Sequence, residues 1–152
     1  MKALFFLLTL QFLLFVLVPA RAQTPTSSMI PVLEEAKSKL LQIEGTSSKL
    51  VHIEFEYMKD NKYYGMTYQK LYTHHTYKIV AFGDPQRFAN IDVYVDQYVN
   101  NEWQQIAGDS SSSREGYISI QPPTNDYVRI RIDGNKLYSD YTDGYYGIII
   151  YY

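Results

Sequence analysis

From Leu50 to the end of the chain, hydrophobicity repeats with a period of two. In "VHIEFEY", Val51, Ile53, Phe55 and Tyr57 alternate with His52, Glu54 and Glu56, which is the pattern of a strand with one buried face. Seven further runs of strand length follow, over residues 63–72, 77–82, 91–99, 103–107, 117–121, 127–132 and 145–152. Turn-forming clusters such as "GDPQ", "VNNE", "GDSSSS", "QPPTND" and "DGNK" separate them, because Gly, Pro, Asn, Asp and Ser stabilise tight reversals and not ladders. Eight short strands at this spacing predict a mainly β fold, an antiparallel sandwich of jelly-roll type over residues 48–152. The alternation assigns its core to Ile53, Phe55, Ile79, Val93, Val95, Ile118, Ile130 and Ile148.

Ahead of the strands the period changes. Leu33, Ala36, Leu40, Leu41 and Ile43 recur at helical spacing and predict one amphipathic helix over 31–45. Ser28 is a candidate cap, Pro31 suits an early helical position, Glu34 and Glu35 complement the positive helix end, and Gly45 fits the C-terminal cap. The apolar stripe must dock either on its own sheet or on a partner protein. Residues 23–30 read as a disordered polar lead. Before it, "MKALFFLLTLQFLLFVLVPARA" has a basic start, an apolar run and the small-x-small triplet Ala20-Arg21-Ala22, so 1–22 reads as a secretory signal peptide. An uncleaved anchor is the competing reading, for which the apolar run is short.

Cleavage after Ala22 leaves 152 − 22 = 130 residues, enough for one domain with a real core. It also removes Lys2 and Arg21, so 14 − 2 = 12 basic residues face 16 acidic ones, a net charge of −4. Such a chain has no field to attract nucleic acid or an anionic membrane. The expectation is an exported protein, periplasmic or extracellular, without stable membrane insertion after cleavage. With no cysteine in the sequence, neither a disulfide nor a lipid-modified cysteine contributes, and packing must supply the stability.

The stretch "FGDPQRFANIDVYVDQY" offers both a turn and a D-x-D-like acidic run. An EF-hand loop would need Gly after its third ligand and a bidentate Glu at its end; Gln97 and Trp103 stand there instead. Ile91, Val93 and Val95 alternate with Asp92, Tyr94 and Asp96, so the run is a strand. Calcium is the one cofactor the sequence allows, through Asp84, Asn90, Asp92 and Asp109. The plainer reading makes these residues caps of their own turns.

The run "TYKIVAFGD…NIDVYVDQYVNNEWQQIAGDSSSSREGYISIQPPTNDYVRIRIDG…GYYGIIIYY" resembles the bacterial pre-peptidase C-terminal domain and related small exported proteins. The order of a Tyr-led strand, a D-x-D strand, a Ser/Gly loop and a closing Tyr-rich strand carries the likeness, over about half of the chain. The resemblance implies a jelly-roll sandwich that accompanies secreted enzymes or stands alone, acts in binding and in some members holds calcium. It places the recurrent acids at Asp92 and Asp109, with Asn90 where the pattern has the first acid. It implies no protease activity, since that belongs to an attached peptidase domain.

No catalytic constellation stands out. His52, His74 and His75 are the only imidazoles, and adjacent histidines on an extended backbone point apart, which disfavours zinc. The serines of "DSSSSRE" lie in a polar loop and no G-x-S-x-G turn occurs. The anomaly is tyrosine, at 16 residues with doublets at 63–64, 145–146 and 151–152. Tyrosine offers area, rigidity and a hydroxyl, which suits protein or glycan recognition, although aromatics also favour strands for packing alone. The candidate binding rings are Tyr94, outward on its strand, and Tyr138, Tyr141 and Tyr145 before the last one. The sequence thus reads as a non-catalytic binding module. Its alternatives are a calcium-stabilised accessory domain of a secreted enzyme, an enzyme with an unrecognised site, and a small outer-membrane barrel suggested by the terminal "GYYGIIIYY".

Overall fold

The computed structural model describes residues 27–59, 64–138 and 141–152. The expected signal peptide, the start of the polar lead and Tyr63 of the first tyrosine doublet lie outside the described residues. Helix α1 spans Ile30–Glu44, and the strands are β1 Leu50–Met58, β2 Tyr64–Leu71, β3 Tyr77–Gly83, β4 Phe88–Val99, β5 Glu102–Asp109, β6 Glu115–Ile120, β7 Asp126–Leu137 and β8 Gly144–Tyr151. All eight expected strands are present. They form two four-stranded sheets in the orders β1-β8-β3-β6 and β2-β7-β4-β5, with antiparallel neighbours throughout. Consecutive strands change sheet except at the β4–β5 hairpin, which is the jelly-roll connection. Two separate sheets replace the single closed ring that a membrane barrel requires.

Ile79, Val93, Val95, Ile118, Ile130 and Ile148 fill the space between the sheets, as their alternation predicts. Ile53 and Phe55 do not. They pack with Val80, Phe82 and Ile149 in a second cluster, beneath α1 on the far side of the first sheet. That sheet is therefore buried on both faces, and two-sided burial explains the unbroken apolar runs of β3 and β8. Alternation in β1 marks its apolar side correctly but cannot say which layer that side meets. The polar side turns inward at the open edge, where Glu54 lies opposite Ile148 and Glu56 opposite Tyr146. The buried Tyr146 hydroxyl donates a hydrogen bond to Glu56. Burial and that carboxylate push the phenol well above its ordinary value. Across the interior, a Cβ on Gly65 would overlap the Tyr146 ring, so this β2 position accepts no side chain.

Helix α1 settles its own choice of partner. Val32, Ala36 and Ile43, joined by Leu40, cover the sheet, while Leu33 and Leu41 of the expected stripe stay exposed. The buried line is thus rotated by one position toward Val32. No acid occupies the first turn; instead Glu35 pairs with Lys39 at 3.4 Å, and Lys39 reaches Glu115 of β6 at 2.6 Å. The amide of Ile30 donates to Ser28 Oγ at 3.2 Å. Gly45 has φ −71°, outside the left-handed region, and Thr46 closes the helix by donating its hydroxyl to the Ile43 carbonyl at 2.7 Å. No helix among the described residues is long and apolar enough to cross a membrane.

Candidate recognition face

Among the described residues no helix lies over the second sheet, β2-β7-β4-β5. Its inward residues Val93, Val95, Val128, Ile130 and Ile132 are fully buried, so strand periodicity sends the intervening side chains outward. These include Tyr94, Asp96 and Tyr98 on β4, Tyr127, Arg129 and Arg131 on β7, Met66, Tyr68 and Lys70 on β2, and Trp103 and Gln105 on β5. Asn100 and Asn101 connect β4 to β5 with φ of 53° and 69°. Asparagine tolerates this left-handed backbone, and a two-residue turn of that kind matches the twist of the strands it joins. The turn sets the register, pairing Val99 with Glu102 and Tyr98 with Trp103. A non-adjacent tyrosine and tryptophan thereby become neighbours, with ring centroids 5.3 Å apart.

Tyr68 approaches from the opposite edge of the sheet and brings its ring to 5.8 Å from that of Trp103. Rings from the two edge strands thus meet above the two central strands. Beneath them, Arg129 places its guanidinium 4.6 Å from the Trp103 centroid. Asp96 accepts from Arg129 Nε at 2.9 Å and from Arg131 Nε at 2.6 Å and Nη2 at 3.1 Å. Burial pushes the Asp96 carboxyl up, but the hydrogen bonds and charges of Arg131 and Arg129 outweigh it and hold it below the usual carboxylate range. Arg131 also lies 5.0 Å from the Tyr94 ring. That ring rests over β5 where Gly108 leaves room, since a Cβ there would approach Tyr94 to 2.8 Å. The platform is supported by an ion triad rather than by aliphatic packing. Tyr68, Tyr98 and Tyr127 remain 50%, 51% and 57% exposed.

At one end of this face the carboxyl groups crowd. Asp92 lies directly opposite Asp133 in the β4–β7 ladder. Asp92 is fully buried and accepts from Asn90 Nδ2 at 3.0 Å, from the Tyr94 hydroxyl at 3.2 Å and from Asn135 Nδ2. Asp133 Oδ1 and Asn90 Oδ1 are buried with no hydrogen-bond partner. Burial first, and the facing Asp92 charge second, push the Asp133 carboxyl up.

The residues singled out in the sequence disperse. Asn90 and Asp92 stay together, but Asp84 accepts from the Gln86 amide at 2.9 Å within its own turn. Asp109 accepts from the amides of Ser111 at 2.9 Å and Tyr117 at 2.8 Å. Those two take the turn-capping role, and the four oxygen donors do not converge. Among the described residues no group of three or more His, Cys, Asp and Glu side chains is placed to hold a metal ion. Tyr94 lies on the open face, whereas Tyr138, Tyr141 and Tyr145 belong to the other end of the molecule. Tyr141 lies under Arg87 at 4.5 Å, Tyr138 donates its amide to the Arg87 carbonyl at 2.9 Å, and Tyr145 packs on Tyr57 at 4.8 Å beside the helix cluster. His52 pairs with Glu54 at 2.9 Å, and His75 stacks on Tyr152 at 3.7 Å.

Tyr68, Tyr98, Trp103 and Tyr127 escaped the sequence reading. One local signal existed: in "YVNNEW" a two-residue Asn-Asn turn forces Tyr98 opposite Trp103. Nothing local links Tyr68 or Arg129 to that pair, because β2 and β7 reach the sheet by crossing between layers. Neither a protein-family model nor a curated protein matches this chain.

Proposed function

We propose that the protein is an exported, non-catalytic binding module whose recognition surface is the aromatic outer face of β2-β7-β4-β5. The observation that carries this reading is the contiguous set Tyr68, Trp103 and Tyr98, assembled from three strands, with the two tyrosines half exposed, Trp103 partly buried between them and Arg129 bracing it from below. Aromatic rings with polar tips, held rigid and left open to water, are the side chains that contribute most per residue to recognition. The resemblance to pre-peptidase C-terminal domains, which act in binding, points in the same direction, as does the export signal in the sequence.

Trp103 is the only tryptophan in the chain, so its emission reports on this face alone. Titrating the protein with the separated protein and polysaccharide fractions of its extracellular surroundings should shift that emission saturably with one fraction. Tyr98→Ala should weaken the response about tenfold, as expected for a ring near the centre of a contact. Retention of the same material by wild type and by a Tyr68→Ala/Tyr98→Ala/Tyr127→Ala protein, both folded, would move the binding site elsewhere. Mass spectrometry of the exported form should find a chain that starts at Gln23.

A further inference from the structure

Resting on that reading, we propose that the ligand of the aromatic face is a neutral polysaccharide, stacked by its sugar rings across Tyr68, Trp103, Tyr98 and Tyr127. The chemistry of the exposed rings is the first ground. Each carries a polar tip, a phenol hydroxyl or an indole N–H, beside a flat apolar surface. A pyranose ring presents the same combination, an apolar C–H face bordered by hydroxyls, and the two pair by stacking with hydrogen bonds at the rim.

The distribution of exposed apolar residues is the second ground. Four of the large exposed aliphatic residues, Ile30, Leu33, Leu41 and Leu50, lie on α1 and the start of β1, on the other side of the sandwich, and among the described residues this sheet exposes only Met66 beside Tyr68 and Val99 at the β4–β5 turn. A protein-binding centre is built from aromatic and aliphatic groups packed together in desolvated pockets. Here the rings lie spread over a ladder: Lys70 pairs with Tyr127 on the β2 side, and one residue beyond the Gln97–Val128 pair Tyr127 is followed across the sheet by Tyr98 and Trp103. That row runs from one edge strand to the other, which suits an extended chain. The cavities lined by Lys39 and Tyr117 and by Leu33 and Phe55 lie away from it, and the one lined by His74 and Tyr152 touches its β2 end through Lys70 alone.

Charge is the third ground, and it separates a neutral polymer from a sulfated or uronic one. The guanidinium groups of Arg129 and Arg131 are both committed to Asp96, and Asp92 and Asp133 stand on the same sheet face beside them. Three cations, counting Lys70, thus face three carboxyl groups. A polyanion would find no net attraction, whereas sugar hydroxyls would meet fixed donors and acceptors at Arg131 and Gln105, which are 3.4 Å apart.

The test uses Trp103 emission in the processed protein, titrated with soluble starch, hydroxyethyl cellulose, xylan, galactomannan and chitin oligosaccharides, with dextran sulfate and polygalacturonate as charged arms. At least one neutral polymer should give a saturable shift that survives 0.5 M salt, on the order of the concentration at which surface charge is screened. Tyr127→Ala and Tyr98→Ala, at exposed positions that leave the tryptophan in place, should each weaken it about tenfold. Tyr117→Ala, an exposed ring on the other sheet, should leave it unchanged. A response confined to the polyanions, or to none of the seven carbohydrates, overturns the proposal. If the protein fraction then still shifts Trp103 emission in a Tyr98-dependent way, the binding reading stands and only its ligand class fails. Silence in every arm removes both.

Discussion

The two outer faces of the sandwich are built from the same strand alternation and meet opposite fates. On β1-β8-β3-β6 the outward positions are Ile53, Phe55, Val80, Phe82 and Ile149, and α1 covers them. On β2-β7-β4-β5 they are tyrosines, a tryptophan, Met66, two arginines and Asp96, and no element among the described residues covers them. The first face is apolar, so water exclusion by the helix stabilises the fold. The second keeps large rings in place by polar means, with Asp96 clamping two guanidinium groups that in turn support Trp103 and Tyr94. A sheet face can thus be ordered without being sealed.

This contrast can be broken first at the covered face. Val32→Asp would set a carboxylate against Val80, Phe82 and Ile149, costing about 3 kcal/mol or the whole docking free energy of α1. Urea unfolding should show that loss, and the uncovered sheet should bind a hydrophobic dye. An unaltered midpoint without dye binding would mean that the helix is not held by this contact.

Asp96→Asn tests the clamp on the open face and should cost about 2 kcal/mol at neutral pH, because two partly buried guanidinium groups lose their shared counter-charge. The pH dependence has a definite sign. The folded carboxyl titrates below its unfolded value of about 3.9, so its contribution is present above that value and disappears as pH falls through the folded one. The gap between wild type and variant should therefore close in acid. A gap independent of pH would make the loss one of shape rather than charge.

Asp133→Asn should do the reverse. The Asp133 carboxyl is raised by burial and by Asp92, so the folded state retains a proton that the unfolded chain releases above about pH 3.9. Stability falls as pH rises through that window, and the neutral variant should be more stable than wild type at pH 7 by about 1 kcal/mol, with no advantage below about pH 4. Destabilisation at neutral pH would show that the ionised Asp133 is supported by a partner rather than repelled by Asp92. The smallest effect belongs to the rings themselves. Tyr98→Ala and Tyr127→Ala should each shift stability by less than about 0.5 kcal/mol, as exposed positions do, and a larger cost would mean that these rings serve the fold.

Much of the architecture is legible in the sequence because it is local. Alternation or short apolar runs between turn clusters locate the strands, Pro31 and the helical spacing locate α1, and the doublets 145–146 and 151–152 divide between faces as geometry demands, with Tyr146 buried inward and Tyr145 turned to the helix side. What alternation leaves open is which layer an apolar side meets, and there Ile53 and Phe55 go to α1 and not to the interior. The candidate site was less legible. Tyr94 could be placed outward from its own strand, but Tyr138, Tyr141 and Tyr145 do not join it on that face and gather around Arg87 and Tyr57 instead.

The sequence by itself determined the period, the turns and therefore the strands, since backbone geometry and turn chemistry act over a few residues. Only the tertiary structure decided that Tyr68 of one edge strand meets Trp103 of the other above Arg129 and Asp96. The physical reason is that a jelly roll makes sheet neighbours of strands far apart in the chain: β2 and β7 pair across more than fifty residues, as Tyr68 and Arg129 show. Register between such strands is set by the packing of the whole interior, and no local pattern records it.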